Sequence, residues 1–529
     1  MTFSYDNPYL TWRTPVMAQN VVATSQPLAA QAGLRMLLSG GNAVDAALAA
    51  AIALTVVEPT GNGLGSDAFA ILWDGTALHG LNASGRSPAA WTPDRFAGRT
   101  AMPFRGFEAV TVPGAVAAWV ALSRRFGRLP FADLFAPAIA YARDGFPVSP
   151  AIARLWRLGA DELFGEPGFR DGFMADGRTP SPGEVAVNRP LAGSLEAIAA
   201  TEGEAFYRGG LAGKIAAFAR LHGAALSEDD LAAHAPDWCG TVRMPFRGVA
   251  LHEIPPNGQG IAALMALGIL AHTGIAELAV DSVAATHLQI EAMKLALADA
   301  ARYVADPAAM DVADADLLDP AYLAGRAGLI DRARASEATA GAPRHGGTVY
   351  VTAADRSGMM VSFIQSNYAG FGSGVVVPGT GIHLQNRGAG FSLEPGHPNR
   401  VGPRKRPFHT IIPGFVMKDG APLMSFGVMG GPMQAQGHVQ MVLRTALFGQ
   451  NPQAASDAPR WRFIAGRKVA VEQAMAPSLI EGLAALGHDI VVEPPDRAFG
   501  FGGAQLIHRL ADGYVAGSDH RKDGQAVGF

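Results

Sequence analysis

Thr348 follows two glycines, Gly346 and Gly347, and opens a β-branched, apolar run, Val349-Tyr350-Val351-Thr352-Ala353-Ala354. Within a chain a threonine is a poor nucleophile, because nothing beside it takes its hydroxyl proton. If the bond before it is cut, the freed α-amine, titrating at about 7.7–8.0, can act as base for the hydroxyl of the same residue. Gly347 suits such a cut: without Cβ it lets the Thr348 hydroxyl approach the preceding carbonyl and tolerates a strained backbone. The tripeptide alone is what a turn followed by a β-branched residue looks like.

The sequence after it favours the chemical reading. Asp355 and Gly358 occupy the first and fourth positions of a type I turn, and residues 359–364 are a second strand-like run. With Gly358 left-handed, the loop has three residues and Asp355 faces Met359, so that Thr348 faces Ser366. A second hydroxyl is then set beside the first. Further on, residues 423–427 read as a strand, Val428-Met429-Gly430-Gly431 as a glycine turn, and Pro432-Met433-Gln434 as the start of a helix running to about Leu447. Amides at a helix start have no partner within the helix and point toward an anion. Gly430 and Gly431 are therefore candidates to hold the oxyanion of a tetrahedral intermediate, a contact worth ~3–4 kcal/mol of barrier.

These groups need a frame. Residues 26–39 and 42–57 read as two helices parted by Gly40-Gly41, with Asn42 as N-cap and Asp45 completing a capping-box variant. A glycine-rich stretch, 61–67, then leads into a strand at 68–73; helix before and strand after is the reverse of a nucleotide-binding loop, so that reading is rejected. Strand-like segments recur at 78–82 and 109–112, and Pro113-Gly114-Ala115-Val116 opens a helix. Residues 130–300 are mostly helical, with a capping box at Ser227-Glu228-Asp229-Asp230 and a long helix, 283–304, stopped by Asp306-Pro307. Residues 249–253 form a short strand, and 255–260 a tight connection into a helix at 261–270. From Asp331 to Gly347 no period holds, as in an exposed, cleavable linker.

Composition sets the outer limits. The chain has 529 residues, 49% of them hydrophobic, enough for a large core; length alone suggests about three domains, but no internal linker argues for such a division. With a net charge of −4 and no basic run beyond Arg404-Lys405-Arg406, the expected partner is a small molecule and not nucleic acid. The single Cys239 excludes an internal disulfide framework and a multi-cysteine metal site. Residues 1–20 lack the apolar core of a signal peptide, and the apolar stretch 46–57 is too short to span a bilayer. The expectation is a cytoplasmic protein with no membrane partner. Its histidines show no metal-ligand spacing, so neither metal nor organic cofactor is expected.

Taken together, Gly40-Gly41-Asn42-Ala43-Val44-Asp45-Ala46-Ala47, Thr111-Val112-Pro113-Gly114, Asp306-Pro307, Thr348 with its strand, Phe371-Gly372-Ser373-Gly374, Gly402-Pro403-Arg404-Lys405-Arg406-Pro407 and Gly430-Gly431 resemble the γ-glutamyltranspeptidase (γ-glutamyltransferase, glutathione hydrolase) family over nearly the whole chain. The resemblance implies an α+β fold, the four-layer α-β-β-α sandwich of N-terminal-nucleophile hydrolases with a large helical portion. It also implies a zymogen that cuts itself between Gly347 and Thr348 into a large subunit, 1–347, and a small one, 348–529, associated as one intertwined unit. Thr348 would be the nucleophile, Ser366 the supporting hydroxyl, and Gly430 and Gly431 the oxyanion hole.

The substrate-binding part departs from the family. The acid that holds the γ-glutamyl amine is missing from Gln385-Asn386-Arg387-Gly388-Ala389-Gly390, and His409-Thr410 stands where the family has paired serines. The family's carboxylate-binding arginine falls near Ser84, with Arg86 two residues away as a substitute. Gln365-Ser366-Asn367-Tyr368 replaces the usual segment, which resembles the cytoplasmic, glutathione-hydrolase-like branch and related acylases. Candidate substrate-binding residues are thus Arg86, Asn367, Tyr368, Arg387, His409 and Thr410. Arg387 suits a substrate carboxylate as well as a structural salt bridge. His409 suits a pocket wall as well as a loop backbone, and His345 reads as a solvated linker residue or a catalyst. Three functions stay open: hydrolysis or transfer of a γ-glutamyl group from glutathione or similar amides; an acylase of the same mechanism on a glutaryl- or oxamate-like amide; and a non-catalytic scaffold, against which Thr348, Ser366 and Gly430-Gly431 argue.

Overall fold

The computed structural model describes residues 13–337, 347–495 and 500–529. His345, Gly346 and most of the linker lie outside the described residues. The linker's first part, 331–337, is tied down rather than free: the Ala335 amide donates to the Leu486 carbonyl and the Ser336 amide to Glu291.

Two seven-stranded antiparallel sheets face each other. One runs Gln525–Gly528, Val21–Thr24, Gly347–Ala354, Met360–Tyr368, Asp67–Trp73, Leu78–Asn82, Asp237–Trp238; the other runs Val16–Ala18, Gly513–Ser518, Ala504–Leu510, Ala421–Val428, Gly414–Lys418, Val249–Glu253, Val242–Phe246. Helices cover both outer faces, giving the four-layer α-β-β-α sandwich. The outer helix Ala43–Val57 is buried on every side and starts on the expected capping box between Asn42 and Asp45.

The alternation of side chains along a strand explains where the site must lie. In Gly347–Ala354, Val349, Val351 and Ala353 pack with the helices around Leu48, Ile52 and Trp119. Tyr350 and Ala354 point the other way, into the core shared with Phe415, Ile507 and Tyr514 of the second sheet. On the neighbouring strand Val361 and Phe363 face the helices, while Met360 and Ile364 face the gap. The even positions also carry the polar links across it, Thr352 to Ser425 at 2.6 Å and Ser362 to the Phe426 carbonyl at 3.2 Å. Thr348 and Ser366 belong to this same face.

The hairpin has the expected register. Val349 pairs with Gln365 and Ala354 with Met360, the Asp355 amide donates to the Met359 carbonyl, and Gly358 has φ +93°. The pairing shifts between Gly347 and Val349, a bulge that re-aims the Thr348 side chain. One expected strand is absent. Residues 107–109 form a single 3-10 turn and 110–113 an extended segment outside both sheets. Its polar groups are met singly, the Val112 amide by the Arg86 carbonyl and the Thr111 carbonyl by Gln385. An apolar run can be extended because loops grip it, without a neighbouring strand.

Candidate active site

At the bulge, the Thr348 hydroxyl donates to the Gly347 carbonyl at 2.8 Å and lies 3.2 Å from Ser366 Oγ. Ser366 Oγ donates to the same carbonyl at 2.6 Å and accepts the Tyr368 amide at 2.8 Å. Two buried hydroxyls therefore converge on the carbonyl of the bond expected to break. Gly347 is demanded by crowding and not by strain: a Cβ there would lie 3.0 Å from the Thr60 carbonyl oxygen and 3.1 Å from Gly61 Cα. The turn that presses on it is fixed by His383, whose Nε2 lies 3.0 and 2.9 Å from the Pro59 and Asn62 carbonyls.

The second sheet supplies the other wall. Strand Ala421–Val428 ends in Gly430 (φ +121°) and Gly431 (φ +61°), conformations that L side chains rarely adopt, and helix Met433–Val442 follows. Among the described residues the amides of Gly430 and Gly431 have no acceptor. Gln434, in the first turn of that helix, places Nε2 3.4 Å from Thr348 Oγ1 while its Oε1 accepts the Ile412 amide at 2.9 Å. This brings the helix start to the nucleophile candidate. Gln259 braces the turn by donating to the carbonyls of Thr410 (2.5 Å) and Gly431 (2.9 Å).

Arg387 lies beside this centre. Its guanidinium sits over the Tyr368 ring, 4.8 Å from the centroid, and Nη1 donates to Thr410 Oγ1 at 2.7 Å. The side chain is buried, yet Nε and Nη2 have no hydrogen-bond partner among the described residues. A desolvated guanidinium with an open edge is costly in the absence of an anion. Burial lowers the Arg387 pKa to about 10, with Asp67 opposing the shift, so the group is charged at neutral pH. Asp67 is itself buried; burial pushes it up to about 7 against the pull of Arg387, the Gly85 and Gly114 amides and Arg406. Its Oδ1 accepts both amides at 3.0 Å, and its Oδ2 lies 3.2 Å from His409 Nε2. Burial, with Arg387 and Arg406 nearby, holds His409 far below its ordinary pKa, so this contact is a hydrogen bond from a neutral imidazole.

The structure thus gathers Thr348, Ser366, Tyr368, Arg387, His409, Thr410 and the Gly430-Gly431 turn. Asn367 points away from them, its amide donating to the Gly61 carbonyl and its Oδ1 accepting from Ser66. Arg86 stays outside: 43% exposed, it is engaged by Asp306 at 2.9 Å and by the Arg404 carbonyl at 3.2 Å. Sequence reasoning missed Gln434, since Gln436 and Gln440 of the same helix are equally buried and merely serve the backbone of Phe463 and Trp461. It also missed a group that spacing does not reveal, His287, Glu291 and His488, with potential ligand atoms within 4.8 Å of one another. There Glu291 is already bound by Lys294 at 2.7 Å and by Ser336, and His287 by His488 at 2.8 Å, while His488 Nδ1 has no hydrogen-bond partner among the described residues.

The sequence matches the family model described as Gamma-glutamyltranspeptidase over residues 29–529. It is 37% identical to the glutathione hydrolase-like YwrD proenzyme of Bacillus subtilis, over 98% of this chain and 100% of that one. It is 36% identical to the oxamate amidohydrolase proenzyme of Klebsiella pneumoniae, over 97% and 99%. Among solved structures it resembles the cephalosporin acylase from Bacillus halodurans, with a TM-score of 0.95 and 47% identity, covering 100% of this chain and 99% of that one.

Proposed function

The chain belongs to the gamma-glutamyltranspeptidase family, and from that premise we propose that it is a self-processing amidohydrolase that cuts itself before Thr348 and then uses Thr348 to deacylate a small carboxylate-bearing amide. The convergence of the Thr348 and Ser366 hydroxyls on the Gly347 carbonyl carries the first half of this reading. In the precursor Thr348 Oγ attacks that carbonyl carbon, Ser366 donates to the oxygen as it gains charge, and the acyl group passes from nitrogen to oxygen before water releases it. The new α-amine then serves as base for the hydroxyl, and Gly430 and Gly431 receive the oxyanion of each substrate intermediate.

Arg387 supports the second half. Its open Nε–Nη2 edge matches a carboxylate bidentately. A γ-glutamyl donor also brings an ammonium, and Asp67, the buried acid whose charge bears on Arg387, already has its oxygens taken up by Gly85, Gly114 and His409. Burying the ammonium unpaired costs several kcal/mol. Glutaryl- or oxamate-like donors therefore fit better than γ-glutamyl ones; the similarity to an oxamate amidohydrolase and to a cephalosporin acylase supports the same choice. Glutathione hydrolysis is the second reading, favoured by the likeness to the YwrD protein.

Two measurements test the proposal. Intact mass should show two fragments cut between Gly347 and Thr348, and Thr348→Ala should remain one chain; a variant that still splits there sinks the self-processing step. For specificity, kcat/KM should be comparable or higher for a glutaryl anilide than for the γ-glutamyl anilide. A hundredfold preference for γ-glutamyl, about 2.7 kcal/mol, would reverse the choice of donor.

A further inference from the structure

Ser366, Gly430 and Gly431 all serve carbonyl oxygens, whereas Gln434 is aimed at the nucleophile's own oxygen. It is fully buried in the first turn of helix Met433–Val442, and its amide is engaged at both ends. Oε1 accepts the Ile412 amide at 2.9 Å, which fixes the direction of the group, because a flipped amide would set NH2 against N–H. Nε2 is thereby turned toward Thr348 Oγ1, 3.4 Å away. The other two buried glutamines of this helix spend their amides on backbone. Gln436 accepts the Phe463 amide at 2.7 Å and donates to the Phe463 carbonyl at 3.3 Å, and Gln440 donates to the carbonyls of Gln436 and Trp461. Of the three, Gln434 alone ends on a hydroxyl placed to react.

We propose that Gln434 is a catalytic residue whose amide donates to Thr348 Oγ as that oxygen leaves the acyl carbon, so that it speeds hydrolysis of the acyl-enzyme and not its formation. This rests on the reading of Thr348 as the nucleophile. In acylation the Oγ–C bond forms, the C–N bond breaks and the hydroxyl proton departs with the amine, while charge gathers on the carbonyl oxygen. In hydrolysis a water oxygen bonds to the acyl carbon, the C–Oγ bond breaks with its electron pair going to Oγ, and a proton of that water reaches Oγ through the α-amine. Oγ carries negative charge as it leaves, and Gln434 meets it with an N–H that it keeps throughout. A hydrogen bond to a charged oxygen is shorter than one to a neutral oxygen and roughly twice as strong. The stretched 3.4 Å contact to the resting hydroxyl therefore tightens as the ester opens, and an interaction that strengthens in the transition state accelerates the step. The Gly347 ester formed during maturation opens in the same way, so Gln434 serves that step too.

The test uses matured protein and the glutaryl or γ-glutamyl anilide, whichever the wild type turns over faster, from about pH 7 to 9, across the range where the freed α-amine titrates. Gln434→Glu keeps an oxygen for the Ile412 amide but, as a carboxylate, has no proton to give Oγ; Gln434→Met loses both bonds. Slower hydrolysis of an acyl-enzyme lowers kcat and KM together and leaves kcat/KM unchanged. Both variants should show that pattern, with kcat down roughly ten- to a hundredfold, at or below the worth of one oxyanion donor. Acid quenching during turnover should find the 348–529 fragment carrying the acyl group. A wild-type kcat in both variants, or a fall in kcat/KM with no acylated fragment, overturns the assignment. So does a slow Gln434→Met beside a wild-type Gln434→Glu, since the side chain would then only brace Ile412. A variant that does not mature should be cut after Gly347 by hydroxylamine, which cleaves esters and spares amides; resistance to it also overturns the assignment. Failure of the underlying reading shows separately, as turnover of the anilide by Thr348→Ala or of neither anilide by the wild type.

Discussion

Ser366 donates to the Gly347 carbonyl at a shorter distance than it keeps from the Thr348 hydroxyl, 2.6 Å against 3.2 Å. On the proposed self-processing reading its first task is therefore to polarise the Gly347 carbonyl, and orienting Thr348 is secondary. Removing a donor aimed at a developing oxyanion costs on the order of a hundredfold or more in rate. Ser366→Ala should fold, since the side chain is small and the strand is held by both neighbours, and should mature about a hundredfold more slowly when followed by intact mass over time; Ser366→Thr should recover part of the rate. Maturation of Ser366→Ala at the wild-type rate would leave the hydroxyl a bridging role alone. This pair was legible in the sequence because turn chemistry fixes a hairpin register residue by residue. The Asp67–Arg387 relation was not, because it joins a strand start to a 3-10 turn 320 positions later, and no local pattern reports such a meeting.

At the scale of elements, the Gly430-Gly431 turn joins a strand of one sheet to a helix of its outer layer, and it meets Thr348 only because the hairpin's even face looks across the gap. Gly430 at φ +121° cannot be replaced without strain, and a Cβ would approach Gly502 Cα to 3.1 Å. Gly430→Ala should thus turn the amides out of line and lower kcat on the order of a hundredfold, with KM and the circular dichroism spectrum little changed. Unaltered turnover in a folded variant would make the turn a packing device. Strand, turn and helix were all readable here, because glycines punctuate an apolar run before a helical period. The segment 109–112 carries the same apolar signature and forms no strand. What distinguishes the two is whether a neighbour lies alongside, a tertiary fact that β-propensity does not contain.

Across the whole molecule, the proposed cut falls inside the interleaving of the sheets. Val21–Thr24 lies between Gln525–Gly528 and Gly347–Ala354, and Met360–Tyr368 pairs with Asp67–Trp73. In the other sheet Gly414–Lys418 pairs with Val249–Glu253, and Gly513–Ser518 with Val16–Ala18. Fragments 1–347 and 348–529 would each leave with unpaired sheet edges and only part of every core, so they should co-elute on size exclusion and unfold in a single transition. The buried pair between Lys522 and Glu58, 2.9 Å apart, joins the two fragments behind the Pro59–Asn62 turn that presses on Gly347, with Ser25 also donating to Glu58. Removing the cation strands a carboxylate in the interior, at a cost of about 3–5 kcal/mol. Lys522→Met should accordingly lower the unfolding midpoint of the processed protein, and the double variant Lys522→Met/Glu58→Gln should regain much of the loss because it removes both charges of the pair. A double variant no more stable than the single one would mean that Lys522 acts through its packing, and the charge pair would then have no part in holding the fragments together.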